Sequence, residues 1–491
     1  DWGKAEISTI GEGAFAFCEK LTSITLPSSV TQIDEGAFFF SHITGPGFGN
    51  CNDLTIIGKS AYEGSLIKDT ISFSSKPVGL NINDRAFHST KITRISGLPE
   101  NAVIGNYAFA NCSTLSTIAS PLNVGSIGNY AFDNCRALTG QLQITTTKIG
   151  DFAFYNTGDG LIITGILQKT VGNIPSAITI GAYAFAGKQI SCGLSYPNSA
   201  GTADIGEFAF YKCRFTSTQP FEINIQYSNG NKQIGNYAFA NTTYQSTCSL
   251  TLHGTTVGRH AFEFTSGPGA LELKTAIYRS FTINEYSFYY SHVSTTSNGP
   301  LYLKSVNKKS FAHCSNLRGL LNITNLNLIS PYAFANCTNL TGPLEIDGAS
   351  IGESAFEFCN LANGLKYIDN YVEGDEHPGL SIGYRAFYAS GLSKELVLHS
   401  FITSIGEYAF ARCEGLINSP ITIYAQDIDQ YAFAECKTLN GQILIYSNNI
   451  YFHAFDKTTI GTLIIDTKYD HDSPSASYHV HNQAFYGIKF T

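Results

Sequence analysis

The sequence predicts a solenoid of about 20 coils, with short parallel strands stacked into one sheet and turns and short helical segments on the other face. Three observations predict it: a six-residue motif recurs twenty times, its copies lie mostly 22 to 26 residues apart, and a short alternating apolar segment follows each copy. A chain of 491 residues would otherwise suggest about three globular domains. The repeat predicts a single continuous array over residues 1–491 instead.

The motif reads Ile or Val, usually Gly or Asn, two variable residues, Ala or Ser, and then Phe. Nineteen copies end in Phe and one in Tyr, and we call this last residue the closing aromatic of its coil. We expect the closing aromatics to form an internal ladder, in which replacing one ring by Ala costs about 3–5 kcal/mol. They are Phe15, Phe38, Tyr62, Phe87, Phe109, Phe132, Phe154, Phe185, Phe210, Phe239, Phe262, Phe288, Phe311, Phe334, Phe356, Phe387, Phe410, Phe433, Phe455 and Phe485.

Glycine often follows the first Ile of the motif, and we expect it to supply a turn with positive φ. This prediction applies to Gly11, Gly105, Gly128, Gly235 and Gly406. Some coils have Asn or Asp in place of this glycine, and they fit the prediction of positive φ less uniformly.

The residues after the motif complete each coil. A polar stretch leads into apolar residues that alternate with polar ones, as in LTSITLP from Leu21 to Pro27. This alternation is typical of a strand with one buried face. One strand per repeat, at a period in the low twenties, indicates a leucine-rich-repeat solenoid. Four longer intervals predict insertions in the coils around residues 155–185, 211–239, 357–387 and 456–485.

Composition narrows the class of protein. With 43% hydrophobic, 13% aromatic and 14% charged residues, the chain is predicted to fold. The net charge is −8 and the basic residues are scattered, which argues against nucleic acid as a partner. No apolar stretch reaches the roughly 18 residues that a membrane span needs.

The segment IGEGAFAFCEKLTSITLP, residues 10–27, closely resembles the BspA-like leucine-rich repeat, and the resemblance extends over essentially the whole chain. Membership would imply a right-handed solenoid, extracellular or at the cell surface, of the kind found in certain bacteria and in protists such as trichomonads. It would also imply adhesion to proteins or glycans at cell surfaces. The resemblance carries no catalytic residues, so it implies that the chain is not an enzyme.

Nine of the twelve cysteines lie three residues after a closing aromatic. The resemblance places this position inside the solenoid, where Cys acts as a small buried hydrophobic residue, and we expect free thiols there. Stacked neighbours among them remain possible disulfide partners. Three cysteines outside the pattern are the better disulfide candidates: Cys51, Cys192 and Cys248. The nine are Cys18, Cys112, Cys135, Cys213, Cys314, Cys337, Cys359, Cys413 and Cys436.

Five Asn-x-Ser/Thr sequences are candidates for N-glycosylation, and the alternative is that they are ordinary polar turn residues. They are Asn111, Asn241, Asn322, Asn336 and Asn339.

Ten coils carry an aromatic residue two positions before the closing aromatic, and we call this set the aromatic column. Stacked coils would align it as a stripe on one face that binds partners or sugars. The alternative is packing between coils that shields the turn backbone. The column consists of Tyr107, Tyr130, Phe152, Tyr183, Phe208, Tyr237, Tyr286, Tyr332, Tyr408 and Tyr431.

No motif for catalysis or for phosphate or dinucleotide binding is present, and we predict no cofactor and no metal. Metal-ligand residue types cluster between Asp466 and His481, but their spacing matches no metal site, so we interpret the segment as a solvated insertion.

The repeat begins near the first residue and runs to the last. If two copies met head to tail, the interval from Phe485 to the next Phe15 would nearly match the internal period. Repeats in such register favour open filaments. The sequence therefore predicts an adhesion or recognition module, with self-association into filaments possible. The alternatives are a purely structural extracellular fibre subunit, and the ligand-recognition ectodomain of a longer anchored protein.

Overall fold

The structure is a computed structural model. It describes residues 6–171, 174–196, 203–219, 221–226, 233–253, 256–267, 271–275, 281–295, 301–318, 321–323, 328–341, 343–347, 349–368, 379–393, 396–398, 402–416, 421–437, 439–466 and 479–490. Two compact units are present, Asp1–Cys248 with Gly267–Gly269, and Ser249–Ser266 with Ala270–Thr491. The parallel-strand solenoid predicted from the sequence is confirmed within each unit. That residues 1–491 form one continuous array stays a prediction.

A short leading strand ends at the first Ile or Val of each motif, because β-branched side chains suit a strand with one buried face. In the first unit these strands pair in parallel and in constant register, as Ile10 with Ile33 and Ile33 with Ile57. They are Thr9–Ile10, Gln32–Ile33, Ile56–Ile57, Asn81–Ile82, Val103–Ile104, Ser126–Ile127, Lys148–Ile149, Ile178–Ile180, Ala203–Ile205 and Gln233–Ile234.

The predicted alternating segments form the second set of strands in the first unit. Buried residues alternate with more exposed ones along Gly140–Thr146, as the sequence pattern requires. The other parallel strands are Lys68–Ser72, Lys91–Ser96, Thr117–Ile118, Leu122–Asn123, Leu161–Gln168, Gln189–Ile190, Leu194–Tyr196, Arg214–Phe215, Phe221–Gln226 and Thr243–Tyr244. One antiparallel pair, Thr170–Val171 with Ile174–Pro175, belongs to the predicted insertion at 155–185.

The second unit repeats this plan, and some of its strands are long enough to serve as both the leading and the second strand. Its leading strands are Thr256–Val257, Phe281–Ile283, Leu301–Val306, Leu328–Ile329, Ser350–Ile351, Leu380–Ile382, Ile402–Ile405, Ile421–Ile428, Leu439–Ile450 and His479–Val480. The remaining strands are Cys248–His253, Leu271–Thr275, Val293–Thr295, Leu321–Ile323, Leu344–Asp347, Leu365–Ile368, Leu396–Leu398, Thr459–Asp466 and Lys489–Phe490.

The closing aromatics form the predicted ladder in the core of each unit. Phe109 stacks on Phe132 with ring centroids 5.4 Å apart and planes 2° from parallel. In the second unit, Phe311 and Phe334 stack at 5.3 Å. All four rings are fully buried. The ladder predicted from the motif spacing is therefore confirmed.

The predicted short helical segments are wrong for the described residues, in which the motif is a turn. The residues two before and two after each closing aromatic have positive φ, as at Tyr107 (56°) and Asn111 (58°). A right-handed helix cannot contain such residues. Backbone hydrogen bonds run to the next coil instead, from N of Phe109 to O of Ala131 at 2.8 Å and from N of Asn111 to O of Asp133 at 2.9 Å.

The glycine after the first Ile has a different role from the one predicted. Gly11, Gly105, Gly128, Gly235 and Gly406 do not have positive φ. A Cβ on Gly128 would lie 2.5 Å from the backbone carbon of Gly105 in the preceding coil, and Gly235 and Gly406 are similarly close to backbone. Nothing lies within 4 Å of the corresponding point at Gly11. Close approach of successive coils therefore explains the glycine.

Candidate functional site

All ten residues of the aromatic column have left-handed φ, between 54° and 58°. Aromatic residues rarely adopt this conformation, which costs about 1–3 kcal/mol for a residue other than glycine. Their side chains are half-buried, apart from Tyr107, which is 36% exposed. Coils with Ser60, Arg85 or Ser354 at this position have the same conformation, so it belongs to the repeat, in which the backbone N of Tyr107 donates to O of Asn129 in the next coil.

In the first unit the column is an unbroken stack of six rings. Neighbouring ring centroids are 4.6 to 4.8 Å apart, and the planes lie within 15° of parallel. The stack runs through Tyr107, Tyr130, Phe152, Tyr183, Phe208 and Tyr237. The structure thus brings six of the predicted residues together on one face.

Two further tyrosines make edge-to-face contacts with rings of this stack. Tyr155 meets Phe152 edge-on with centroids 5.4 Å apart, and Tyr211 meets Phe208 in the same way at 5.2 Å. Burial, and then the charge of Glu207, raises the pKa of the Tyr183 hydroxyl. The hydroxyl of Tyr183 therefore remains protonated and able to donate a hydrogen bond at neutral pH.

The column is interrupted in the second unit. Lys309 lies over the rings of Tyr286 and Tyr332, with Nζ 5.5 and 5.4 Å from their centroids. Tyr408 stacks on Tyr431 at 4.9 Å. The other four predicted residues therefore fall into two smaller groups.

A second set of exposed aromatics follows the closing aromatic by two residues, again at positive φ, and the sequence reasoning missed it. Phe17 is 66% exposed, and it stacks on Phe40 with centroids 6.1 Å apart. The signal was present in the sequence, because large apolar residues recur at this fixed offset. The set comprises Phe17, Phe40, Phe264, Tyr290 and Phe358.

The nine motif cysteines are free thiols, and eight of them are buried, as predicted, while Cys18 is only partly buried. The eight buried thiols are also hydrogen-bond donors, which the sequence reasoning missed. The thiol of Cys135 donates to the backbone O of Phe109 in the preceding coil at 3.1 Å, and that of Cys337 to O of Phe311 at 3.1 Å. Thr458 occupies the same position in its coil and donates to O of Phe433 at 2.7 Å.

Cys51, Cys192 and Cys248 are free thiols in this structure, and disulfide formation at these positions stays a prediction. Cys51 is buried and donates to the backbone O of Pro27 at 3.2 Å. Burial raises the pKa of the Cys192 thiol to about 11, and that of Cys248 is also raised by burial. Burial thus favours the protonated form of each of these thiols.

Three of the glycosylation candidates occupy the left-handed position two residues after the closing aromatic. These are Asn111, Asn241 and Asn336, with φ of 58°, 57° and 62°. Asn tolerates this conformation better than other residues with a side chain, so the backbone alone explains its presence. Asn339 is exposed, and its Nδ2 donates to the backbone O of Ser315 at 2.6 Å. The side chain of Asn322 lies outside the described residues. Glycosylation at all five stays a prediction.

Within the described part of the chain, no group of three or more His, Cys, Asp or Glu is arranged to hold a metal ion. The segment between Asp466 and His479 lies outside it, as do residues 369–378 of the predicted insertion at 357–387. A search of the same described residues found no helix long and apolar enough to cross a membrane.

A family model for the BspA type leucine rich repeat region (6 copies) matches residues 4–97, 80–168, 168–267, 270–372 and 377–489. The chain therefore belongs to the BspA-type leucine-rich-repeat family, as its motif predicted.

Two solved structures share low similarity with the chain. A leucine-rich repeat protein from Bacteroides ovatus ATCC 8483 is 18% identical with a TM-score of 0.23, over 94% of this chain and 88% of that one. A leucine rich cell surface protein from Faecalibacterium prausnitzii A2-165 is 17% identical with a TM-score of 0.24, over 87% of each chain. No match was found among curated proteins. The family assignment therefore rests on the repeated motif.

Proposed function

We propose that this chain is a non-enzymatic interaction module, extracellular or at a cell surface, and that it adheres to partner proteins through the six-ring stack from Tyr107 to Tyr237. The observation that supports this proposal is the stack itself, which aligns partly exposed rings along one face. Aromatic side chains contribute much of the binding energy at protein interfaces, because they bury a large area at a small entropic cost. Rings held in a stack lose still less freedom on binding.

The stacking geometry favours a protein over a glycan as the partner. Sugars pack their C–H groups against the negative face of an aromatic ring. In this stack each inner ring has both faces covered by its neighbours, at 4.7 Å between Tyr107 and Tyr130 for example. The edges and hydroxyl groups remain for a partner, and these suit polar and apolar groups of a protein surface.

The test replaces Tyr130 and Tyr183 together by Asn, which removes two rings and tolerates the left-handed backbone. The matched control replaces Tyr408 and Tyr431 by Asn in the second unit, outside the six-ring stack. Fluorescently labelled proteins are added to a panel of mammalian and bacterial cells, and bound label is measured by flow cytometry. We expect the first variant to lose at least about tenfold in affinity and the control to bind like the natural chain.

The chemical class of the partner is tested on the same cells. Pretreatment with trypsin should abolish binding, and pretreatment with glycosidases should leave it intact. Equal binding by both variants would contradict the assigned face. Binding that survives trypsin would contradict a protein partner, and binding to none of the cells would contradict adhesion.

A second proposal is self-association into filaments, which would also suit a purely structural role. The exposed apolar side chains of the last described turn support it, since Val480 is 56% exposed and Phe490 68%. The strand Lys489–Phe490 pairs with Thr459–Ile460, and an exposed strand is a template for pairing with another chain. Negative-stain microscopy over rising concentration should show filaments that disappear in a Val480→Lys, Phe490→Lys variant. They should persist in Phe264→Lys, whose ring is 45% exposed in a coil away from both ends. Single particles of the natural chain at all concentrations would rule this proposal out.

A further inference from the structure

Two side chains 68 positions apart meet in the first unit, where Nζ of the buried Lys169 lies 2.5 Å from Oδ1 of Asn101. Lys169 directly follows the strand Leu161–Gln168 and directly precedes the antiparallel pair of the insertion. Its backbone O accepts a hydrogen bond from N of Ser176 at 2.6 Å, which closes the base of this pair. Lys169 is thus held at the point where the insertion leaves the repeated coil.

Asn101 belongs to a coil well before the one that contains Lys169. It precedes the strand Val103–Ile104, and Gly125 of the next coil packs against its backbone. Thr147 of the coil after that donates from N to O of Gly125 at 3.2 Å. Two coils therefore lie between Asn101 and Lys169 along the repeat, although Nζ of Lys169 contacts Oδ1 of Asn101.

The environment of Lys169 suits an amine nucleophile. The residue is only 8% exposed. Burial lowers the pKa of its amine, and the charge of Glu100 opposes this effect. A buried amine is more often neutral than an exposed one, and only the neutral amine attacks a carbonyl group. The carboxamide of Asn101 lies within hydrogen-bond distance, so the two reacting groups are already positioned.

We propose that Lys169 and Asn101 become joined by an intramolecular isopeptide bond, a modification independent of the proposed binding function. The neutral Nζ of Lys169 attacks Cγ of Asn101, and a C–N bond forms between them. The bond from Cγ to Nδ2 breaks, and Nδ2 leaves as ammonia after receiving a proton released by Nζ. Glu100, next to Asn101, is the group that transfers this proton. No oxidant, reductant or cofactor is needed.

Two other buried lysines show why this pair is distinctive. Nζ of Lys188 donates to the backbone O of Thr157 at 2.8 Å, and Nζ of Lys76 donates to the backbone O of Phe48 and of Cys51. A backbone carbonyl can react only by breaking the chain. A side-chain carboxamide instead offers ammonia as a leaving group without cost to the chain. Lys188 is therefore a matched control for Lys169.

The test is intact-mass spectrometry of the purified full chain, followed by peptide sequencing. We expect the chain to be lighter than its sequence by one molecule of ammonia, with one branched peptide that joins Lys169 to Asn101. Lys169→Arg and Asn101→Ala should each restore the full mass, and Lys188→Arg should leave the loss of ammonia unchanged. Glu100→Gln should slow bond formation several-fold, and an unchanged rate would overturn the role given to Glu100.

Asn residues also lose ammonia when they cyclise to a succinimide, so the lysine variant is decisive. Loss of ammonia that persists in Lys169→Arg would overturn the proposal, as would the full mass in the natural chain after prolonged incubation at mildly alkaline pH. Circular dichroism of Lys169→Arg, which keeps the positive charge, checks that the variant is folded. The branched peptide is a readout that does not depend on the stability of any variant.

Discussion

The position three residues after the closing aromatic illustrates what a single residue does in this fold. It is buried in most coils and commonly carries a hydrogen-bond donor, which can reach the preceding coil, as the thiol of Cys135 does to O of Phe109 at 3.1 Å. Its burial was predictable from the repeat, but the donor role was not. That role becomes visible only when Ser, Thr and Lys at the same offset are considered together with Cys, as at Thr458 and Lys188.

The thiols should be unreactive in the native chain. Burial raises the pKa of Cys112 to about 11 and of Cys213 and Cys413 to about 12. Only the thiolate reacts with disulfide reagents. Cys18 and Cys192 are both only partly buried, but burial raises the pKa of the Cys192 thiol to about 11, so we expect rapid labelling with DTNB at pH 8 to be confined to Cys18. Without reductant, the denatured chain should titrate as twelve thiols. A count of ten or fewer would mean that disulfides form in the natural protein.

At the scale of the turn, two backbone constraints determine the motif. Successive coils approach so closely that the residue after the first Ile often has no room for a side chain, and two positions per coil are left-handed. From the sequence we treated the two constraints as one, and we assigned positive φ to the glycine after the first Ile, where close approach is the actual constraint. The left-handed positions were not recognised from the sequence because many of them hold Tyr or Phe, and aromatic residues seldom adopt positive φ.

Replacing Gly128 by Ala should therefore destabilise its coil, and replacing Gly11 should not. The new Cβ at position 128 would lie 2.5 Å from a backbone carbon, whereas position 11 has open space. Overpacking of this kind costs about 1–3 kcal/mol. Urea unfolding followed by circular dichroism compares the two variants, and equal stability would contradict the close-approach explanation.

The ion pair of Glu63 should make its coil sensitive to acid. Burial tends to raise the pKa of the Glu63 carboxyl, but hydrogen bonds from Arg85 and Ser60 outweigh burial, so the pKa lies below its ordinary value of 4.5. The folded state thus favours the charged form, and the resulting stability is present above about pH 4.5 and lost as the pH falls through the lowered pKa.

Glu63→Gln should accordingly lower the melting temperature at pH 7, and the difference from the natural chain should shrink towards pH 3. Glu35→Gln is the control, since Glu35 pairs with Lys59 in an exposed ion pair, which contributes little. Calorimetry at several pH values measures both. A difference that did not change with pH would show that loss of packing, and not loss of charge, explains the effect.

At the scale of the whole molecule, stability is distributed among coils, because each coil mainly contacts its neighbours. Phe132→Ala removes a ring that stacks on Phe109 and Phe154, and it should cost about 3–5 kcal/mol. Hydrogen exchange should increase in the coils next to position 132 and remain unchanged in the second unit. A uniform increase throughout both units would contradict this picture.

The fold was largely predictable from the sequence, and the binding face only in part. The spacing of the closing aromatics predicted the coils and their ladder, because this side chain must return to the same interior point in every repeat. The spacing also aligned Tyr107 with Tyr130, which do stack. It could not reveal the meeting of Lys169 with Asn101, because an insertion leaves the repeat and its path depends on tertiary contacts.

The hydrogen-bond donor three residues after the closing aromatic has a consequence for how the sequence can evolve. A thiol, a hydroxyl and an ammonium group all fill it within this one molecule, at Cys135, Thr458 and Lys188. Cysteine is therefore exchangeable there, one coil at a time, without loss of a hydrogen-bond donor to the preceding coil. A lineage exposed to oxidants has a route to a descendant that lacks these nine thiols and keeps the same architecture.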